Sequence, residues 1–251
     1  MKVLSIDLDY AVFEDYMERQ QDIKEDLGIA DHPLAVWKIL EELDKDFDYS
    51  EIDTRAMQYL VHTFERALQN CDDVGFGYDH DNILYRLEKE DVDNIDIINI
   101  DNHGDILNLQ GYGCFEDVGG RNYGAEKERE YLNKYNDVTE GSWVSWLDEK
   151  KKLNSYTFIC DSNFIPTEPE EKINGYRGVH SRHEYKFEDY DFDYIFVCLS
   201  PMYVHYKNWK YFKQMIDMYE NKTKKKANVI DRKYEITARS KLLNKYIGIA
   251  E

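Results

Sequence analysis

Short apolar segments recur along the chain between longer amphipathic ones. Four of them are rich in Ile, Val, Phe or Tyr and nearly continuous, which predicts buried strands over residues 3–10, 95–101, 156–161 and 193–200. Strands that are apolar on both faces are typical of a parallel sheet covered by helices on either side. The pattern therefore predicts a parallel sheet at the centre of the protein.

The amphipathic segments predict helices, because their apolar residues recur at spacings of three and four. These helices are expected over residues 33–44, 51–70, 124–136, 207–221 and 234–246. Helices that alternate with strands favour a single three-layer α/β domain over residues 1–251, with a mainly parallel sheet and helices on both faces. In such sheets the functional side chains gather at the carboxyl ends of the strands.

Composition supports a folded protein and limits its partners. Hydrophobic residues make up 42% of the 251 residues, which is enough for the core of one domain. The formal net charge of −19 argues against a nucleic-acid partner and favours cationic ones. No apolar stretch approaches the roughly 20 residues that cross a bilayer. The acidic start MKVLSIDLDY is unlike a signal peptide, so we expect a cytoplasmic protein with no membrane partner.

The charge is distributed unevenly along the chain. From residue 205 onward there are 12 Lys or Arg and 5 Asp or Glu, a net charge of +7. Since the whole chain carries −19, the first 204 residues carry −26. This defines a basic C-terminal helical segment from about residue 205. Its run from Lys222 to Lys226 is either a solvated loop or a docking patch for an acidic partner segment. The 21 tyrosines could line an interface between copies, so a homo-oligomer also stays open.

The first predicted strand carries two acidic residues near its carboxyl end. Asp7 and Asp9 are two positions apart, so both side chains leave the same face of an extended strand, together with Ser5. Two carboxylates so close in apolar surroundings repel each other, and burial of an unpaired charge is costly. The pair is stable either at an open, hydrated strand end or with a bound divalent cation.

Two further segments carry residues that bind metals. In DNHGD an apolar strand ends in Asp101, His103 and Asp105, spaced by two, and Gly104 permits a tight turn. In GFGYDHD, Gly75 and Gly77 precede Asp79, His80 and Asp81, and His80 offers a ring nitrogen. An extended backbone after the strand would make the three DNHGD side chains converge.

The candidate ligands from these segments are four carboxylates and two imidazoles. That donor set suits Mn²⁺ or a similar octahedral ion better than zinc. Six ligands exceed the number that one ion needs from a protein, so we predict two ions, which together make a bridging water nucleophilic near neutral pH. Because shared ions need neighbouring strands, we expect residues 3–9 to form a central strand beside the strand that ends at Asp101.

These segments resemble the metal motifs of the arginase (ureohydrolase) superfamily, GGDHS, DAHxD and SxDxDxxDP. This chain has GYDHD at residues 77–81, DNHGD at 101–105 and SIDLD at 5–9. The SxDxD-like segment comes first here and last in ordinary arginases, as a circular permutation would produce. The leading DLDY, the DNHxD and a late LSP segment are similar to a permuted branch that includes peptide arginases of ribosomal-peptide (proteusin-type) pathways.

The resemblance implies an arginase-like fold and a dimanganese hydrolase. Its substrate would be an arginine-containing precursor peptide, whose arginine side chains become ornithine while urea is released. The implied metal ligands are Asp7, Asp9, His80, Asp101, His103 and Asp105. Asp105 is the metal-bound carboxylate that we expect to hold the attacking hydroxide. The match ends outside the ligands, since the DP of the third motif is absent and residues 106–125 contain no histidine.

The residues that would bind the guanidinium or transfer a proton are not fixed by the motifs. The candidate acids for the guanidinium are Glu14, Glu116 and Asp161. The candidates for the proton shuttle are His180 and His183.

Two other functions stay open. SIDLDYAV is similar to the nucleophile segment of haloacid-dehalogenase phosphatases, and DNHGD to the GNH motif of metallophosphoesterases. These similarities favour a metal-dependent phosphoester hydrolase, although the DxD-G-T continuation is absent and an acidic surface attracts phosphate poorly. The third possibility is a non-catalytic peptide-binding protein on the same fold. The presence of all six ligand-type residues argues against it.

Overall fold

The computed structural model describes residues 1–13, 33–89, 92–106, 138, 141–161, 173–179, 181–230, 244–245 and 247–248. Its strands are β1 (Lys2–Asp7), β2 (Val74–Gly77), β3 (Ile95–Ile100), β4 (Leu153–Ile159), β5 (Tyr176–Val179), β6 (Tyr194–Cys198) and β7 (Val229–Ile230). They form one sheet in the order β5-β4-β3-β1-β6-β2-β7, and every neighbouring pair is parallel. The predicted α/β fold with a parallel sheet is confirmed.

Helices cover both faces of this sheet. They are α1 (Pro33–Leu43), α2 (Thr54–Leu68), α3 (Leu84–Leu87), α4 (Trp143–Glu149) and α5 (Trp209–Thr223). Short 3-10 turns occupy Leu8–Ala11, His80–Ile83 and Tyr206–Asn208. None of the helices within these described ranges is long and apolar enough to cross a membrane.

The alternation of side chains along β1 separates two cores. Leu4 and Ile6 pack in the cluster that holds the apolar side chains of α2 and α5. Val3 packs in the other cluster, with α3 and α4. Since successive side chains of a strand point to opposite faces, Ser5 and Asp7 lie on the face of Val3, beneath α4. Both polar side chains are buried there.

The central position expected for the first strand is confirmed. β1 lies between β3 and β6, with Ser5 opposite Asn99 on one side and Asp7 opposite Cys198 on the other. The carboxyl ends of β1 and β3 therefore meet at one edge of the sheet, called the carboxyl edge below. This register places the DLDY and DNHGD segments beside each other.

All four predicted strands are present, although their ends differ. β2, β5 and β7 were not predicted, because they are short and two of them contain glycine (VGFG and YRGV), which weakens a strand pattern. Helices 33–44, 51–70 and 207–221 correspond to α1, α2 and α5. The predicted helix 124–136, and all but residues 244–245 of 234–246, lie outside the described residues.

Candidate metal centre

The chain turns directly after β1. The carboxylate of Asp7 accepts a hydrogen bond from the backbone N–H of Asp9 (3.0 Å), which caps the 3-10 turn that begins at Leu8. The prediction that the strand continues through Asp9, with both carboxylates on one face, is wrong because this local hydrogen bond ends the strand. Asp9 reaches the site from the turn instead, and it is as buried as Asp7.

The DNHGD segment also folds locally instead of extending β3. The carboxylate Oδ1 of Asp101 accepts a hydrogen bond from the backbone N–H of His103 (2.8 Å). The backbone therefore does not stay extended after β3, since this turn folds the loop back on its first residue. The left-handed φ in the loop falls on Asp105, at 53°, and not on Gly104. Side-chain hydrogen bonds thus shape the loop, and Asp105 adopts an unfavourable backbone conformation within it.

His80 reaches the site from β2, which lies beyond β6. Its ring stacks on the ring of Phe196 in β6, with 6.0 Å between centroids and 19° between planes. Gly77 makes room for this arrangement, because a Cβ at that position would lie 2.7 Å from the Phe196 ring. Nε2 of His80 lies 2.6 Å from Oγ of Ser5 on β1. A hydrogen on Nε2 that is donated to Ser5 leaves the Nδ1 side of the ring facing the carboxylates.

The first ligand group surrounds Nδ1 of His80. This atom lies 2.8 Å from Asp101 Oδ2, 2.9 Å from Asp105 Oδ2 and 3.3 Å from Asp7 Oδ2. Within the described part of the chain it is a buried nitrogen without a hydrogen bond of normal geometry. In an octahedral site with bonds of about 2.1 Å, neighbouring donor atoms lie about 3.0 Å apart. His80 Nδ1 and one oxygen each of Asp7 and Asp101 could therefore hold one cation, and Asp105 lies beside them.

The second ligand group shares a residue with the first. His103 Nδ1 lies 2.9 Å from Asp9 Oδ2 and 3.9 Å from Asp101 Oδ1. Asp101 thus presents Oδ2 to His80 and Oδ1 to His103. Both groups, Asp7–His80–Asp101 and Asp9–Asp101–His103, could hold a metal ion, and Asp101 joins them.

Burial and mutual charge shift the pKa of several of these side chains. Burial and the neighbouring carboxylate charges raise the pKa of Asp9, and they raise the pKa of Asp105 to about 8. Burial opposes ionisation of Asp101 too, but the adjacent imidazoles outweigh it and lower its pKa. Burial likewise opposes protonation of His103, yet the nearby carboxylates raise its pKa to about 10. A divalent cation would relieve the repulsion among these carboxylates.

Hydrogen bonds from surrounding side chains orient the ligands. Ser200 Oγ donates to Asp7 Oδ2 (2.6 Å), and Asn99 Nδ2 donates to Asp101 Oδ2 (3.2 Å). Tyr156 donates its hydroxyl hydrogen to the carbonyl of Gly104 (2.8 Å) and so ties the DNHGD loop to β4.

Sequence reasoning did not find these outer residues. Asn99 could have been found, because it is a polar residue in an apolar strand. It lies two positions before Asp101, and therefore on the same face of the strand. Ser200 belongs to the LSP segment noted in the sequence, but nothing in its spacing indicates a contact with Asp7.

Solvent reaches the site on the side of His103. The side chain of His103 is 44% exposed, whereas those of Asp9, Asp101 and His80 are buried. The ring of Tyr203 lies 5.1 Å from the His103 ring and borders this opening. A substrate would approach past these two rings.

The candidate residues for substrate binding and proton transfer differ in where they lie in the structure. Three of them lie outside the described residues: Glu14, Glu116 and His180. Asp161 follows β4 at the carboxyl edge, but its carboxylate pairs with the guanidinium of Arg182, which also contacts Asp53 Oδ2 at 3.2 Å. Binding of a substrate guanidinium by Asp161 would require Arg182 to move. His183 is exposed in the following turn.

The basic run at Lys222 lies at the other edge of the sheet. Nζ of Lys222 donates to the carbonyl of Leu68, at the end of α2, and to Asp72 Oδ1 (2.8 Å), just before β2 begins. α5, which ends beside this run, has 15 residues and is therefore about 22 Å long. Because α5 starts after the carboxyl end of β6, the run lies at the end of this helix that is farther from the carboxyl edge.

Comparisons of the chain with protein-family models, with curated proteins and with solved structures found no match. The resemblance to the arginase superfamily therefore stays a prediction from three short motifs. Two groups of Asp and His side chains that share Asp101, and that could hold a metal ion, are the features of this structure from which a function can be inferred.

Proposed function

We propose that the protein is a dimanganese hydrolase that converts arginine side chains of a peptide to ornithine and urea. The observation that carries this proposal is the position of Asp101, which turns one carboxylate oxygen toward each ligand group. Two cations could share it. The four carboxylates balance the charge of two divalent ions, and a donor set with more oxygen than nitrogen suits Mn²⁺ better than zinc.

Two ions held by these side chains would supply a water that is nucleophilic near neutral pH. Asp105 would accept a hydrogen bond from that water and orient it toward the substrate. The water oxygen bonds to the guanidinium carbon, and the bond from this carbon to Nε of the arginine breaks. Urea leaves with the oxygen of the water, and the two hydrogens of the water end on the Nε nitrogen, which becomes the protonated amine of ornithine. The four carboxylates are buried, whereas the side chain of His103 is 44% exposed.

A cationic peptide side chain fits the electrostatics of the molecule. The first 204 residues carry a net charge of −26, which raises the encounter rate with a cation. A peptide is favoured over free arginine because the chain keeps the metal motifs of arginases but not the sequence around them. The steering should weaken with salt, since exposed charges are screened beyond about 10 Å at 0.1 M.

Phosphoester hydrolysis is the second candidate. A pair of ions bridged by a carboxylate, as Asp101 would permit, also supports in-line displacement at phosphorus. The acidic surface disfavours it, because it lowers the encounter rate with a phosphate dianion.

The test is mass spectrometry of an arginine-containing peptide after incubation with the Mn²⁺-loaded protein. Release of urea gives a mass loss of about 42 Da per arginine, as expected for hydrolysis at the guanidinium carbon. Free arginine and a phosphomonoester are assayed in parallel. Loss of phosphate with no change in the peptide would favour the second candidate, and equal rates on arginine and peptide would contradict the peptide assignment.

A matched pair of variants shows whether the metal centre is responsible. Asp101→Asn removes a charged ligand at the carboxyl end of β3, whereas Asp96→Asn makes the same change at the amino end, where Asp96 bonds Ser155 and Asn154. We expect the first to abolish turnover and the second to retain it. Activity that survives Asp101→Asn would contradict the proposed site.

A further inference from the structure

A tryptophan outside the predicted ligand set contacts one of the ligands directly. Trp143 opens α4 and is fully buried. Its indole N–H donates a hydrogen bond of 2.6 Å to Oδ2 of Asp105. This is the same oxygen that lies 2.9 Å from Nδ1 of His80. The indole therefore fixes the position of a candidate donor atom.

The ring of Trp143 also confines a second ligand. Its centroid lies 5.0 Å from that of the His80 ring, and on another side the His80 ring stacks on Phe196 at 6.0 Å. Two aromatic side chains from different elements thus limit the orientation of the imidazole. Rotation of His80 away from the carboxylates would require one of them to move.

The backbone of α4 holds the same ligand from another side. The N–H of Val144 donates to the carbonyl of Asp105 (3.2 Å). Asp105 has a left-handed φ of 53°, which a residue with a Cβ adopts only when its surroundings enforce it. The start of α4 supplies this constraint through one backbone and one side-chain hydrogen bond.

We propose that Trp143 is a positioning residue of the metal centre, which sets the orientation of Asp105 and His80 toward the first cation. This inference rests on the dimanganese site proposed above. Because hydrogen bonds to metal ligands typically change metal affinity by about 10-fold to 100-fold, loss of the indole N–H should weaken binding of one ion by that factor. The second ion, near Asp9 and His103, should be less affected.

The test compares Trp143→Phe with Trp146→Phe. The first keeps an aromatic ring and removes the N–H, and the second makes the same change three residues later in the same helix. Mn²⁺ binding is measured by calorimetry, and tryptophan fluorescence is followed in the same titration, since an ion bound beside an indole changes its emission. Circular dichroism and the melting temperature report on folding.

We expect wild type and Trp146→Phe to bind two ions with a fluorescence change. Trp143→Phe should lose most of that change and bind one ion about 10-fold to 100-fold more weakly. Wild-type affinity for both ions in a folded Trp143→Phe would overturn the role of Trp143 alone. If wild type binds no Mn²⁺, the proposed function itself is overturned. If Trp143→Phe does not fold, the titration of Trp146→Phe still tests the proposal, because this variant keeps Trp143. A tryptophan emission of Trp146→Phe that does not change when Mn²⁺ binds would contradict a contact between Trp143 and the metal centre.

Discussion

Asp101 Oδ2 lies 2.8 Å from Nδ1 of His80, while its other oxygen faces the second ligand group. A shared ligand and an unshared ligand should therefore behave differently when they are removed. We expect His80→Asn to weaken binding of one Mn²⁺ and to leave the other in place, whereas Asp101→Asn should weaken binding of both. Metal content after gel filtration measures this. Loss of only one ion from Asp101→Asn would contradict the shared role.

Ser5 should support metal binding through His80. Ser5→Ala removes the hydroxyl that lies 2.6 Å from Nε2 and leaves a buried ring nitrogen without this partner. Such a loss costs about 1–3 kcal/mol of stability, and outer-shell changes of this kind lower metal affinity by about 10-fold or more.

Ser155→Ala is the matched control for this change. It removes a hydroxyl that donates a hydrogen bond to Asp96, near the amino end of β3. Mn²⁺ titrations of both variants measure the difference, and equal affinities would show that the Ser5 contact does not orient His80.

Gly77 and Gly104 should differ sharply when alanine replaces them. A Cβ at Gly77 would lie 2.7 Å from the Phe196 ring that supports His80, whereas a Cβ at Gly104 would meet nothing closer than 3.4 Å. We expect Gly77→Ala to destabilise the fold by about 1–3 kcal/mol, the usual cost of overpacking, and to weaken metal binding. Gly104→Ala should be tolerated. Urea unfolding of the metal-free proteins compares them, and equal stabilities would contradict the close approach.

His205 should make the metal-free protein less stable as the pH falls. Its side chain is buried, and burial lowers its pKa from 6.5 to about 4, an effect that Lys207 strengthens and that Glu41 and Asp48 oppose. Below pH 6.5 the unfolded chain takes up a proton on this histidine while the folded chain does not, so stability is lost progressively down to about pH 4. The loss from this one group is on the order of 3 kcal/mol.

Urea unfolding between pH 7 and pH 4, with a chelator present, measures this loss. Other groups also titrate in that range, so the comparison is with His205→Gln, which cannot take up the proton. We expect the variant to lose less stability than wild type over the same interval. Parallel curves for the two proteins would show that His205 is not responsible.

Lys222 should act in stability and not in catalysis. It donates to the carbonyls of Leu68 and Cys71 and to Asp72, at the edge of the sheet opposite the metal ligands. Lys222→Ala should therefore cost about 1 kcal/mol, while Lys225→Ala, an exposed neighbour, should cost almost nothing. Both should turn over a short arginyl peptide at the wild-type rate. A slower rate for Lys225→Ala on a longer peptide with an acidic segment, but not on the short one, would instead favour the docking interpretation of this run.

The four strands, and the meeting of the candidate Asp and His residues at their carboxyl ends, could be predicted because they depend on local sequence. Near-continuous apolar runs predicted β1 and β3, and their acidic carboxyl ends indicated where Asp7 and Asp101 would meet. The loop geometry could not be predicted, because side-chain hydrogen bonds such as that between Asp101 and the His103 N–H decide it. A periodic pattern contains no information on such bonds.

Contacts between distant segments were also beyond prediction from a single sequence. Trp143 packs a helix into the core, and its indole also bonds Asp105, 38 positions away in the chain. The bond from Ser200 to Asp7 spans 193 positions. Only the folded arrangement of the strands brings these partners together.

The central place of β1 has a consequence for the order in which the protein folds. β1 pairs with β6, and Lys2 and Asp193 at their amino ends are 191 positions apart in the chain. Contacts between such distant segments form slowly, because a long loop must close before they stabilise the structure. His80 meets Asp7 across β6, so the first ligand group is incomplete until residues 194–198 have joined the sheet. A nascent chain that lacks this strand would lack the first candidate site, so metal uptake at that site would follow the pairing of β1 with β6.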